Sequence, residues 1–169
     1  MLRLVAELYP PLPQELVAFA EGGVSILVGT ASAKHEPDCV RGMGLRIWPG
    51  GAKLTVILPI VTGETSIANL RENPRLALTI SHIPSHRTMQ VKGPVIAIRD
   101  GGQEELELGV AYRAKFSEDL AFVGQPPANT LRLGIWPCVA VDIEIAVAFV
   151  QTPGPQAGIK LTPESRGSL

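Results

Sequence analysis

The sequence has few aromatic residues, few charges and almost no cysteine. Aromatic side chains make up 5% of its 169 residues and charged side chains 18%, whereas 46% are hydrophobic. This balance excludes a disordered chain and indicates a globular one. Few charges together with few aromatics also suggest that a partner, such as a second copy, covers some apolar surface. The net charge of −1 gives no reason to expect nucleic acid or an anionic membrane as a partner.

Long apolar runs are missing too, and none approaches the roughly 20 residues that span a bilayer. Glu7 and Pro10 interrupt the first ten residues, which makes them a poor signal peptide. The two cysteines, Cys39 and Cys138, have no metal-type spacing, and we expect reduced thiols in the core. These absences predict a soluble, cytoplasmic protein without a membrane segment.

Alternating apolar residues predict about six strands, with short helices between them. The predicted strands are 24–30, 38–48, 53–58, 75–81, 87–99 and 139–150, with a further extended segment at 131–135. The predicted helices are 14–21, 62–72 and 103–118. Hairpins dominate, which favours an antiparallel barrel over a βαβ sheet. We expect one domain over residues 1–150 and an irregular C-terminal tail over 151–169, mobile past Leu161.

The chain contains no self-sufficient catalytic set. It has no His-Glu-x-x-His, Cys-x-x-Cys, Gly-x-Ser-x-Gly or Walker-type motif. His82 and His86 flank Pro84 in a predicted turn, which favours two loop histidines over a metal site. Asp142 and Glu144 share a strand face without a third partner, which favours a solvated face over an acid/base pair. If the protein is an enzyme, a cofactor is expected to supply the chemistry.

A phosphate-bearing cofactor needs cations, hydroxyls and free backbone N–H groups that converge on one spot. Three parts of the chain offer them: two arginines around a glycine-containing strand, hydroxyls where a helix is predicted to begin, and polar side chains on one strand face. The candidates are Arg41 and Arg46; Thr62, Thr65 and Ser66; and Thr88, Gln90 and Lys92. The alternative is a solvated strand face with helix caps and surface arginines.

Three motifs occur in order along the chain: Arg41-Gly-Met-Gly-Leu-Arg46, Asn73-Pro74-Arg75-Leu-Ala-Leu and Arg87-Thr-Met-Gln-Val-Lys-Gly. Together they resemble motifs of the pyridoxamine 5′-phosphate oxidase-like, FMN-binding split β-barrels. Arg41-Gly-Met-Gly-Leu-Arg46 is similar to the Arg-x-x-x-x-Lys element of that family. Asn73-Pro74-Arg75-Leu-Ala-Leu resembles its Asn-Pro-Arg-Val-x-Leu strand entry, and Arg87-Thr-Met-Gln-Val-Lys-Gly resembles its Arg-Gln-Val-x-Val-x-Gly strand. The resemblance covers residues 22–98 and is weaker beyond them.

The resemblance implies a mainly β fold with short α insertions, a six-stranded antiparallel split β-barrel with Greek-key connections. It implies a homodimer with FMN in a groove between the subunits. Arg41 and Arg46 would then contact the phosphate, and Thr88 or Gln90 the ribityl chain or the ring. The function expected from it is that of a flavin-dependent oxidoreductase acting on a small molecule.

Two departures limit what the resemblance implies. Glu64-Thr65-Ser66 stands where the oxidase has Ser-Arg-Lys, which lowers the positive charge available to a phosphate. The closing Arg-Leu-x-Pro signature of the oxidase is missing, so pyridoxamine phosphate oxidation is not predicted. Two alternatives keep the fold: a haem or deazaflavin protein, in which His82 or His86 would ligate haem iron, or a dimeric barrel that has lost its cofactor and its catalysis.

Overall fold

The computed structural model describes residues 11–161, which form eight strands and four helices. The strands are β1 (Ser25–Ala31), β2 (Pro37–Arg41), β3 (Leu45–Ile47), β4 (Lys53–Pro59), β5 (Arg75–Ser81), β6 (Thr88–Asp100), β7 (Cys138–Glu144) and β8 (Val147–Val150). The helices are α1 (Gln14–Ala20), α2 (Ile60–Glu72), α3 (Gln103–Phe122) and α4 (Pro127–Thr130). The predictions for residues 1–10 and beyond Leu161 lie outside the described residues.

All strands join one antiparallel sheet in the order β2-β1-β5-β6-β7-β4-β3, with β8 also paired to β6. The long strand β6 links its two halves. Its first part pairs with β5 and β8, and its last part pairs with β7. The sheet therefore curls around a core without closing, and the mainly β, antiparallel architecture predicted from the alternation is confirmed.

The core lies on the concave side of this sheet. Strands β1, β5 and β6 each turn alternate side chains inward, as their period of two requires. Ile26, Leu78 and Met89 are among the side chains with no solvent exposure. Helix α3 covers one end of the core, where the Tyr112 hydroxyl donates to the Val24 carbonyl over 2.8 Å. Burial raises the pKa of Tyr112, so this phenol remains a neutral donor.

Two predicted strands are divided in the structure. The segment 38–48 becomes β2 and β3, separated at Gly42, where a Cβ would approach Ile26 Cγ2 to 2.5 Å. The segment 139–150 becomes β7 and β8, because the chain turns at Ile145 and Ala146. β7 pairs with β4 and the last part of β6, whereas β8 pairs with the first part of β6. Such divisions depend on tertiary contacts, which the alternation of residues along one segment does not report.

Other boundaries shift for similar reasons. Helix α2 begins at Ile60 instead of Thr62, and α3 extends to Phe122. The segment 131–135 forms no strand in the described chain. Residues 151–158 are irregular, as predicted, but Leu161 returns to the core and donates its N–H to the Ala148 carbonyl over 2.8 Å.

One cysteine prediction is wrong. Cys138 is buried, but Cys39 is exposed on β2, at one edge of the sheet. Burial raises the pKa of the Cys138 thiol. Within residues 11–161, no helix is both long enough and apolar enough to cross a membrane.

Candidate functional site

The side of the sheet that points away from the core presents a connected polar and apolar surface. We call it the outer face; it consists of the outward side chains of β2, β1, β5, β6 and β8. Strand register aligns its central row across all five strands. The members of this row are Arg41, Leu27, Thr79, Gln90 and Phe149.

The structure places Thr88, Gln90 and Lys92 together on the outer face, in the alternation expected for one strand. Gln90 Nε2 donates to Thr79 Oγ1 over 3.1 Å, which fixes the amide on the face. Lys92 Nζ lies 5.2 Å from the centre of the Phe149 ring. Thr88 Oγ1 hydrogen-bonds Ser81 Oγ at 3.0 Å. That these three bind a ligand stays a prediction.

A cavity of about 670 Å³ opens at one end of the outer face. Its lining includes two cations, Arg75 and Lys92, and no acidic side chain among the described residues. The lining residues are Gly29, Thr30, Ala31, Asn73, Arg75, Leu76, Ala77, Lys92, Gly93, Pro94, Ala146 and Val147. The cavity lies in the size range of small-molecule and cofactor sites.

The two cations of this cavity come from neighbouring strands. Arg75 pairs in register with Pro94, and Ala77 pairs with Lys92, so the cations are diagonal neighbours roughly 7–8 Å apart, with their Cβ atoms somewhat closer. Lys92 was named from the sequence as a candidate binding residue, but Arg75 was not. The signal was available, because Arg75 belongs to the Asn-Pro-Arg motif and begins an alternating strand.

The structure does not bring Arg41 and Arg46 together. Arg46 is exposed and pairs with Glu104 at 3.6 Å, near the start of α3. Arg41 stacks on Phe116, 5.3 Å from its ring centre. Positions 104 and 116 of one helix are about 18 Å apart along its axis. Within one chain, the two arginines therefore do not form a single phosphate-binding site.

The hydroxyls of α2 also fail to converge. Thr62 and Thr65 are exposed, whereas Ser66 is fully buried. Ser66 Oγ donates to Asp38 Oδ2 over 2.5 Å, and Thr30 Oγ1 donates to Ser66 Oγ over 3.3 Å. Ser66 thus belongs to a buried chain of hydrogen bonds that ties α2 to β1 and β2. Of these three residues, expected at a helix start, Thr62 lies in the first turn of α2, whereas Thr65 and Ser66 lie further inside the helix.

Helix α2 and Arg41 occupy opposite sides of β2. A Cβ on Gly63 of α2 would lie 3.5 Å from Val40 Cγ2. Val40 and Asp38 therefore face the helix, and the intervening side chains, including Arg41, face the other way. A phosphate held jointly by Arg41 and the start of α2 would need groups from both sides of one strand.

Both ring nitrogens of His82 have polar neighbours. Nδ1 lies 2.7 Å from Ser85 Oγ, and Nε2 lies 3.5 Å from Asp119 Oδ2. His86 is exposed, with a positive φ of 58°. Within the described part of the chain, no group of three or more His, Cys, Asp or Glu side chains could hold a metal ion. The histidines are loop residues, as the sequence favoured.

Asp142 does not lie on a solvated face, and that prediction is wrong. It is 5% exposed, accepts a hydrogen bond from Thr55 Oγ1 over 2.7 Å and pairs with Arg99 Nε at 3.3 Å. Arg99 also reaches Glu105 Oε1 at 2.6 Å. Sequence periodicity missed this because β7 is central in the sheet and is covered on both faces. The network joins β4, β6 and β7 to α3.

Comparison with known proteins tests the fold. No family model matches the chain, and no curated protein matches its sequence. Solved structures do match. HupZ from Group A Streptococcus aligns with a TM-score of 0.55 at 17% identity, over 87% of this chain and 99% of that one. A candidate pyridoxamine 5′-phosphate oxidase from Lactobacillus delbrueckii aligns at 0.54 and 13%, over 83% and 95%. An F420 reductase aligns at 0.54 and 18%, over 81% and 98%.

The chain has the pyridoxamine 5′-phosphate oxidase-like split-barrel fold. The resemblance drawn from the three motifs is thereby confirmed for the fold. Because the sequence identities are only 13–18%, these similarities show a shared fold and do not show a shared function. In the structure, Asn73-Pro74-Arg75 leads into β5. Lys92-Gly93 lies near the point where β6 stops pairing with β5 and begins to pair with β7.

Proposed function

We propose that this split barrel binds FMN in the cavity beside the outer face, at the interface of a homodimer, and is an oxidoreductase for a small molecule. FMN combines a dianionic phosphate, a polyhydroxylated chain and a flat aromatic ring. A site for it needs cations at one end and an apolar floor with a few polar groups at the other.

The cation pair in the cavity carries the proposal. Arg75 forms no ion pair within residues 11–161. Lys92 also forms no ion pair among the described residues, and its ammonium lies over the Phe149 ring. Two cations without a carboxylate partner, side by side in a cavity without acidic lining, favour an anionic ligand. Phosphate is the group that suits a planar guanidinium and a point-charge ammonium together.

The neighbouring surface fits the rest of the cofactor. Ala77 and Val147 contribute apolar surface to the cavity. Thr30 also lines it, but its hydroxyl is already hydrogen-bonded to Ser66. Gln90, held by Thr79, is available on the same face for hydrogen bonds to a polar ring edge or chain. When bound, FMN would supply electron or hydride transfer. The chain's own residues would bind it, orient it and exclude water.

Fluorescence titration with FMN tests the proposal. We expect micromolar or tighter binding by the parent protein, weakened about 10- to 100-fold in Arg75→Gln and in Lys92→Met, because each removes a charge-assisted hydrogen bond. Arg46→Gln is the matched control, since this exposed arginine lies beside α3, away from the cavity. Its affinity should stay within about twofold.

Two results would count against FMN. If no binding is seen at millimolar FMN, FMN is not the cofactor, and a deazaflavin or a dimeric barrel without a cofactor is left. If Arg46→Gln weakens binding as much as Lys92→Met, the cavity is the wrong place. Replacing Arg41, Thr62, Thr65, Ser66 or Thr88 one at a time by Ala would then test the remaining predicted contacts.

A deazaflavin in the same cavity is the second candidate. The likeness to an F420 reductase favours it, since that protein shares the fold with a TM-score of 0.54. Titration of the same variants with a deazaflavin separates the two, because the tighter ligand identifies the cofactor class. For haem, both ring nitrogens of His82 already have polar neighbours in the described chain, whereas His86 is exposed and stays an untested candidate. A cytoplasmic location stays a prediction.

A further inference from the structure

We propose that another cavity, at the opposite end of the outer face, binds a small organic carboxylate with an apolar body. It has a volume of about 380 Å³ and lies between the end of β2, the loop after β5, the second half of α3 and α4. The lining residues are Arg41, Ile83, Phe116, Leu120, Gln125, Asn129, Thr130 and Leu133.

Arg41 supplies the charge. Its Nη1 donates to the neutral Ser25 hydroxyl over 3.1 Å, and its guanidinium stacks on the Phe116 ring at 5.3 Å. Across residues 11–161, no carboxylate lies within ion-pair distance of it. Stacking and one hydrogen bond hold the guanidinium in place, and neither partner neutralises it. A positioned, partly buried cation of this kind is suited to a planar carboxylate.

The rest of the wall matches an apolar ligand body with polar groups at its margin. Ile83, Leu120 and Leu133 are partly buried and apolar. The segment that begins after α3 adds two amide side chains and the buried Thr130 hydroxyl. A lining that combines apolar side chains with a few polar groups is typical of a small-molecule site.

No acidic side chain is among the described residues that line this cavity, although Asp119 lies nearby. Asp119, the neighbour of Leu120 on α3, is not among the lining residues, and its Oδ2 lies 3.5 Å from His82 Nε2. No Asp or Glu is present in the described lining. The only charged lining group there is a cation, so an anion is favoured over a neutral or cationic ligand.

This inference does not depend on the FMN proposal. The two cavities share no lining residue. They also differ in their expected anion: the Arg75–Lys92 pair suits a phosphate, whereas Arg41 is a single guanidinium above an aromatic ring. Loss of one site is therefore measurable while the other is intact.

Calorimetric titration with 3-phenylpropionate and its neutral amide, 3-phenylpropionamide, tests the site. We expect the acid to bind the parent protein at least about tenfold more tightly than the amide, because only the acid can pair with the guanidinium. Arg41→Met should remove that difference. Arg46→Met is the matched control and should keep it, since Arg46 is exposed and lies outside this cavity.

A second variant keeps the charge and fills the space. Leu120→Trp should abolish acid binding with Arg41 still present, and FMN titration should be unchanged. Should Arg41→Met fail to fold, the acid–amide comparison and Leu120→Trp still decide. Three results would each overturn the proposal. They are equal affinity for acid and amide, no binding of the acid at a 10-fold excess over the protein in the millimolar range, and tighter binding of inorganic phosphate than of the acid.

Discussion

Gly93 occupies the point where β6 leaves β8 and β5 for β7, and the backbone there has no room for a side chain. A Cβ at this position would run into the carbonyl oxygen of Glu144. The Lys92 carbonyl accepts a hydrogen bond from Ala146 N over 3.0 Å, so the two backbones are held at close range. Gly93 is therefore required by the crossing of two strands.

We expect Gly93→Ala to destabilise the protein by at least about 2 kcal/mol, since the crossing strands must separate to admit a methyl group. Urea unfolding followed by circular dichroism measures the change. Gly134→Ala is the matched control, because nothing lies within 4 Å of its added Cβ and its φ is not positive. The control should change the unfolding free energy by less than about 0.5 kcal/mol. An equally mild effect of Gly93→Ala would contradict the proposed role.

For single residues, the face of the strand on which a side chain lies could be predicted better than the groups that it contacts. The alternation of β6 placed Gln90 and Lys92 on one face, where the structure has them. Ser66 was expected in a phosphate site, but its hydroxyl is consumed by Asp38 and Thr30, which come from distant parts of the chain. Periodicity gives the direction of a side chain, whereas its partners depend on the packing of other elements.

Helix α3 begins in a buried ionic network, which fixes it to the sheet. Glu105 accepts from the Gly102 N–H over 2.8 Å and from Arg99 over 2.6 Å, and its side chain is 6% exposed. Burial alone would raise the pKa of Glu105, but these two hydrogen bonds outweigh it and leave the pKa below the ordinary value of 4.5. The hydrogen bond from Arg99 to Glu105 in turn raises the pKa of Arg99.

The lowered pKa predicts how this network responds to acid. Its stabilisation is fully present above the unfolded pKa, about 4.5, and is lost as the pH falls through the lower folded value. At pH 7, Glu105→Gln should cost about 1–2 kcal/mol, because Arg99 is 41% exposed and solvent screens part of the interaction. Below pH 4.5, the difference between parent and variant should shrink.

Urea unfolding of parent and variant from pH 3 to pH 7 measures this gap. Glu104→Gln is the control, since its side chain is 77% exposed and its pair with Arg46 is long, at 3.6 Å. That variant should lie within about 0.5 kcal/mol of the parent across the range. A gap for Glu105→Gln that stays constant or widens in acid would show that the carboxylate is not what stabilises the start of α3.

Elements with a strong local pattern could be predicted, and those that depend on remote contacts could not. The predicted 75–81 coincides with β5, Arg75–Ser81, because leucine and isoleucine alternate there with polar residues. The predicted 38–48 was divided into β2 and β3 by a steric requirement at Gly42. The burial of Asp142 likewise reflects a neighbouring helix and two flanking strands, which no pattern within β7 reports.

For the whole molecule, the outer face is the surface most suited to a second copy. Leu27 of β1 lies in its central row and is 40% exposed, with Phe149 in the same row across the sheet. One solvated face is ordinary for an antiparallel sheet, but such a face is normally polar. Here apolar side chains lie among Thr79 and Gln90, and only 18% of the whole chain is charged. Two outer faces packed together would also enclose the cavity of Arg75 and Lys92.

We therefore expect Leu27→Arg to convert a dimer into a monomer, because self-association would place two unpaired charges in an apolar interface. Light scattering after gel filtration measures the mass. Val61→Arg is the control: Val61 is 81% exposed on α2, which packs on the opposite side of β2, and this variant should remain dimeric. A parent protein of monomer mass, or a Leu27→Arg protein of dimer mass, would exclude this interface. If Leu27→Arg loses both the dimer and FMN affinity, the partner subunit completes the cofactor site. If it loses the dimer but binds FMN with unchanged affinity, Arg75 and Lys92 of one chain suffice.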